Sequence, residues 1–151
     1  FFTGANFQDF IASPSIGINS KNQDFAIYRQ TELIVNNERK NICLPIVALE
    51  NKTYIDKTML EGSIATAEKI KSGNPYCLFC IVTETYEVSF DVDPAYSRID
   101  QIFVLRKSSL RNGFQPIDFD VVYNLVNKIN SHLERQWSDV EQKMLTTGEI
   151  I

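Results

Sequence analysis

Around Asp24 to Lys57, two apolar runs, QDFAIYRQTELIV and ICLPIVALENKTYIDK, are separated only by the polar stretch NNERKN. This pattern predicts an antiparallel hairpin. Asp24, Glu50 and Lys52 fall at the end of the hairpin remote from the turn. Charges that close buried strands carry a desolvation cost and need a compensating use. Glu50 and Lys52 are two apart, so on a strand they share a face. A turn centred on Glu38 places Asp24 opposite Lys52 and diagonal to Glu50. Opposite Cβ atoms then stand about 5 Å apart and diagonal ones roughly 7–8 Å, close enough for one cation to touch both carboxylates. A slip of one residue turns Asp24 to the other face, and the turn length alone does not exclude it.

The chain has 151 residues, 44% hydrophobic and 23% charged, which predicts one globular domain over residues 1–151. A chain of this length buries a core without disulfide or metal staples. The net charge of −4 excludes a globally basic surface, so any DNA contact must use a local basic patch or a bound cation. Cys43, Cys77 and Cys80 all lie in apolar runs, as reduced core thiols of a cytoplasmic protein would. No run approaches the roughly 18 apolar residues of a membrane span, and no signal-peptide pattern is present. The first residue is Phe1 rather than methionine, as in a fragment of a longer protein.

In chain order, Phe7, Phe10 and Ile11 have the spacing of a short helix, ended by Ser13-Pro14-Ser15-Ile16-Gly17. The first hairpin strand is expected from Asp24 to Val35, the turn over Asn36 to Asn41, and the second strand from Ile42 to Tyr54. That second strand is apolar on both faces until Glu50, the mark of a central strand, and Pro45 within it points to a bulge or a local edge. Thr58 and Glu61 suit a capping box that opens a helix running to Ser72. Tyr76 to Thr85 is a buried strand, so a helix joins two strands of one sheet as in a βαβ crossover. Residues 86–100 form a long loop. Gln101 to Lys107 is a further strand. Asp118 to Leu145 has the period of a helix roughly 40 Å long, with Phe119, Val122, Val126, Ile129 and Leu133 on its stripe, a face suited to packing or to a dimer seam. The fold class is therefore α/β, a mixed central sheet flanked by helices.

A bare E-x-K is ordinarily a solvated strand end. Its place after a buried strand, with Asp24 on the partner strand and a crossover helix next, makes a catalytic site the better reading. Phosphodiester hydrolysis needs a divalent cation to polarise phosphate and activate water. Mg²⁺ takes one or two carboxylates together with phosphate and water. A neighbouring lysine can orient the water and stabilise developing charge.

The order of a strand with Asp, a strand with Glu-x-Lys, a helix and a strand resembles the PD-(D/E)XK nuclease superfamily. Glu50 to Tyr76 (ENKTYIDKTMLEGSIATAEKIKSGNPY), with Asp24-Phe25-Ala26-Ile27 upstream, is similar to the BbvCI-type restriction endonucleases of restriction-modification systems, type II enzymes that cut asymmetric DNA sites with two different subunits or active sites. The resemblance spans about Asp24 to Lys107. It implies Asp24 and Glu50 as Mg²⁺ ligands, the Asn51 carbonyl as a further ligand, and Lys52 as the residue that positions water. It also implies double-stranded DNA as substrate and a second subunit, the same or different, as partner. Gln23 stands where the superfamily motif has proline. Gln8 and Asp9 are the only candidates for the upstream helical acid of many relatives, and they match poorly.

Asp56 is expected as a turn residue. Cys77-x-x-Cys80 places its thiols on opposite faces of a strand and lacks a second ligand pair, so core packing is expected. His132 is expected at the surface. Arg98, Arg106, Lys107 and Arg111 cluster around the last strand; they suit either phosphate contacts or an ordinary solvated rim. Two further readings stay open: a junction-resolving or repair nuclease of the same fold, and an inactive DNA-binding or subunit-pairing domain.

Overall fold

The computed structural model of the chain describes residues 2–3, 15–16, 23–35, 38–134 and 144–148. Strands β1 (Phe2–Thr3) and β2 (Ser15–Ile16) pair antiparallel as a small separate sheet. The expected helix over Phe7, Phe10 and Ile11 lies outside the described residues, as do Gln8 and Asp9.

The central sheet has the order β3-β4-β5-β6. β3 (Phe25–Val35) runs antiparallel to β4 (Glu38–Ile55), while β5 (Leu78–Tyr86) and β6 (Gln101–Val104) continue the sheet in parallel. The sheet is therefore mixed, and β4 is interior, as its apolar second half predicts. The helix α1 (Lys57–Gly73) joins β4 to β5. The helix α2 (Phe119–Glu134) follows β6.

The hairpin turn departs from expectation. Val35 pairs with Glu38, so the strands resume immediately after residues 36–37 and not after Asn41. A turn this tight, carried in regular pairing to the far end, would place Asp24 opposite Leu49 and on the wrong face. The register instead shifts between Ile27 and Tyr28: Tyr28 pairs with Pro45 and Ile27 with Val47, leaving Ile46 as an extra residue. Pro45 has no N–H to give the ladder, which is why the irregularity falls there. The Asn74 side chain just beyond α1 donates to the Pro45 carbonyl at 2.7 Å and secures the bulge. Beyond it Phe25 pairs with Leu49, so the next step brings Asp24 level with Glu50.

Apolar residues alternate across the sheet. On one side Ala48, Phe79 and Ile81 pack with Leu60 and Ala67 of α1. On the other, Val47, Leu49, Leu78, Cys80 and Phe103 pack with Val121 of α2, joined by Leu125 and Ile129. Cys77 and Cys80 belong to opposite sides, as expected. Cys43 is exposed, against its expected burial, because it lies on the part of β4 before the bulge, where no third strand covers it.

Both helices correct the sequence reading. Asp56, not Thr58, caps α1: its Oδ1 accepts the Met59 N–H at 2.8 Å, satisfying a donor that the helix itself cannot. Glu61 is exposed. In α2 the residues seated on the core are Val121, Leu125 and Ile129, whereas Phe119 and Leu133 are 80% and 46% exposed. Two apolar stripes run along this helix, and periodicity alone does not choose between them. Its entry does: the Asp118 N–H bonds the Leu105 carbonyl at 2.7 Å. The described helix ends at Glu134, and the further residues 135–143 that the sequence assigned to it lie outside the described set. No described helix is long and apolar enough to cross a membrane.

Candidate active site

Asp24 closes the approach to β3, and Glu50, Asn51 and Lys52 lie on the interior strand β4. Glu50 faces the α1 side, being two residues from Ala48 and paired with Ile81 of that core. Lys52 pairs with Thr83, which is wholly buried. Buried Ile81 and Thr83 hold these two positions at a fixed spacing on the β5 side.

The Asn51 N–H donates to Asp24 Oδ2 at 2.8 Å, so the Asp24 carboxylate rests on the peptide that links Glu50 to Asn51. Lys52 Nζ stands 2.9 Å from Glu50 Oε1, with the two side chains 30% and 18% exposed. Glu50 Oε2 is buried and has no hydrogen-bond partner. A buried carboxylate oxygen without a donor is costly, and such an exception calls for an explanation. Here the oxygen and its Asp24 neighbour form an incomplete oxygen set. That set suits a hard divalent cation, which accepts carboxylate oxygens and leaves its remaining positions to water and substrate phosphate. Among the described residues no group of three or more His, Cys, Asp or Glu side chains could hold a metal, and Asp24 and Glu50 are the acidic pair that the neighbouring strands bring level.

The mixed four-stranded sheet with its flanking helices agrees with what the comparisons return. The family model described as Bpu10I restriction endonuclease matches residues 1–115. The chain belongs to the Bpu10I restriction endonuclease family. Among solved structures it is similar to a chain of the native BbvCI A2B2 tetramer at low resolution, with a TM-score of 0.71, 25% sequence identity and 88% of this chain covered. The chain spans about half the length of that relative, 54%. No curated protein matches.

The basic residues of this family member fare differently from its carboxylates. Arg106 is largely buried, its Nε 2.8 Å from Glu84 Oε2, and its Nη1 donates to the Gln115 carbonyl at 2.5 Å. Its guanidinium also lies 3.8 Å from the centre of the Phe114 ring. These contacts commit Arg106 to bracing the loop after β6. Lys107 is exposed and pairs with Asp118 at 2.5 Å. That bond raises the lysine pKa and lowers that of the aspartate. Arg98 and Arg111 lie exposed on separate loops, the latter in a 3-10 turn over Leu110–Asn112. The four are thus brought near one strand but not into one patch of uncommitted charge. Asn74 is not among the residues that the sequence singles out, because its i, i+29 bond to Pro45 carries no local signature.

Proposed function

We propose that this chain forms the nuclease domain of a type II restriction endonuclease that hydrolyses double-stranded DNA at a specific site with Mg²⁺. The observation that carries this reading is the buried, unpartnered Glu50 Oε2 beside Asp24 and Lys52. Family membership supports it independently. When bound, the cation would supply the electrophilic pull on phosphate that such hydrolysis requires. Asp24 and Glu50 would hold it, with the Asn51 carbonyl as the third protein oxygen. Lys52 would orient the attacking water and balance charge that develops on the phosphate. Water oxygen bonds to phosphorus as the P–O3′ bond breaks; the 3′ oxygen takes up a proton, leaving a 5′-phosphate and a 3′-hydroxyl.

A second subunit, the same or different, fits the A2B2 assembly of the BbvCI relative, and the free thiols fit a cytoplasmic setting. The test is digestion of a long sequenced DNA with Mg²⁺ by the full protein, followed by mapping of the ends. Lys52→Ala is expected to abolish cleavage while DNA binding stays largely intact. Unchanged cleavage by the pure variant removes Lys52 from the mechanism.

The net charge of −4 and the 54% share of the solved relative favour one other reading, an idle DNA-binding or subunit-pairing domain. Absence of Mg²⁺- or Mn²⁺-dependent nicking by the wild-type protein, together with no metal at Asp24 and Glu50 in soaked crystals, would establish that reading instead.

A further inference from the structure

β4 joins β5 only from Val47 onward. Before that point, Tyr28–Val35 and Glu38–Pro45 pair, among the described residues, only with each other, through eight residue pairs. They form a two-stranded ribbon reaching roughly 25 Å beyond the sheet. Such a ribbon gains little from its own packing. On one face Tyr28, Gln30, Glu32, Ile34, Arg39, Asn41 and Cys43 are all exposed. On the reverse face Arg29, Glu38, Lys40 and Leu44 are exposed as well, while Thr31 and Ile42, a directly paired couple, are half-buried.

The exposed face is continuous with the candidate site. β3 carries no extra residue, so Asp24, Ala26, Tyr28 and Gln30 follow one another along one side of the strand. Gln30 pairs with Cys43, Glu32 with Asn41, and Ile34 with Arg39, which brings Asn41 and Arg39 onto that same side. A duplex laid against Asp24 and Glu50 therefore meets this face next. The B-DNA major groove, about 12 Å wide, admits a two-stranded ribbon. Gln and Asn are the side chains that bond adenine through two contacts, and Arg does so with guanine. Residues 28–44 carry a net charge of +1 in a chain of net −4, with Arg39 and Glu32 on this face and Arg29, Lys40 and Glu38 on the reverse. The Arg39–Glu32 pair, at 3.7 Å with side chains 76% and 50% exposed, is readily exchanged for a base contact.

We propose that the exposed face of the β3–β4 ribbon, through Gln30, Asn41 and Arg39, reads base pairs in the major groove of the DNA that the site cuts. This inference rests on the nuclease reading of Asp24, Glu50 and Lys52. Gln30 lies six residues from Asp24 and Asn41 nine from Glu50, so the bases read stand at most roughly 20–30 Å from the scissile phosphate. At 3.4 Å per base pair, this is roughly six to nine pairs.

The test uses the full protein and a duplex pool with a randomised segment, cut with Mg²⁺ and sequenced at the ends. Gln30→Ala, Asn41→Ala and Arg39→Ala are compared with wild type, each checked by circular dichroism and by mass in solution. These positions are exposed, so folding should survive. The expected result is that each variant loses discrimination at one or two defined positions of the cleavage motif, by roughly tenfold or more, while the rest of the motif stands. An unchanged motif in all three overturns the proposal. So does a shift in oligomeric mass with the motif unchanged, which would make the ribbon a subunit contact. A wild type that cuts no duplex fails the nuclease reading itself, and this proposal with it.

Discussion

One strand, β4, lives in two environments divided at Pro45. From Val47 to Ile55 it is the second of four strands, with α1 on one face and α2 on the other. From Glu38 to Pro45 it has one partner and open solvent. The same residue types recur on both halves and do different work. Glu38 is 73% exposed and pairs loosely with Lys40 at 3.7 Å. Glu50 is 18% exposed, pairs with Lys52 at 2.9 Å, and keeps one oxygen buried without a donor. The proposed chemistry falls where the surroundings hold a charge short of satisfaction; a charge in solvent is already satisfied by water.

The largest contrast should appear on replacing each glutamate by glutamine. Glu50→Gln is expected to lower Mg²⁺-dependent cleavage by roughly a hundredfold or more, with little change in Tm, because relief of the buried carboxylate offsets the loss of its Lys52 pair, whose side chain is 30% exposed and can turn to water. Glu38→Gln should leave both the cleavage rate and Tm where they are. Parallel rate assays and melting curves decide it. Equal effects from the two variants would erase the distinction between the halves of the strand.

The next contrast is apolar. Leu49 is 7% exposed and packs in the cluster beneath α2, whereas Leu44 is 37% exposed on the ribbon. Leu49→Ala should cost about 2–5 kcal/mol, and Leu44→Ala about 0.5 kcal/mol or less. Urea unfolding of the two variants gives the difference directly. A large cost at Leu44 would mean that the ribbon is part of the cooperative core.

Much of the architecture was legible before any coordinates, for reasons that these pairs expose. Period-two spacing puts Glu50 and Lys52 on one face in any register. The apolar continuity of ICLPIVAL marks an interior strand. The placement of Asp24 was reached by a route that the structure replaces. The sequence reading put six residues in the turn and set Asp24 opposite Lys52. The structure leaves only residues 36–37 between the strands, and Ile46 outside the regular pairing. The two departures shift the register by an even number, so the predicted face survives while the predicted partner changes to Glu50. Helix faces were less legible. α2 carries apolar residues on two stripes, and only its anchorage at Leu105 selects Val121, Leu125 and Ile129. In the sequence Arg106 suits a phosphate contact or a solvated rim alike, because a sequence does not show that Glu84, Gln115 and Phe114 converge on it.

The smallest effect concerns the thiols, and it separates the same two environments by pH. Cys43 stands on the exposed ribbon, while Cys77 and Cys80 are buried in the sheet. Desolvation raises Cys77 to about 11 and Cys80 to about 12, from an ordinary 9.0. An aromatic disulfide reagent at pH 8 should therefore react promptly with Cys43 alone, since only a thiolate attacks and only Cys43 is open to it. All three thiols should react in urea. The raised values also fix the direction of the stability change. Below pH 9 both folded and unfolded chains keep these protons, and the buried thiols contribute fully. Above it the unfolded chain ionises first, so stability drains away as pH rises from about 9 toward 11 and 12. Cys77→Ala and Cys80→Ala should flatten that alkaline decline, and Cys43→Ala should not. A decline that follows Cys43 instead would place the buried environment on the wrong side of Pro45.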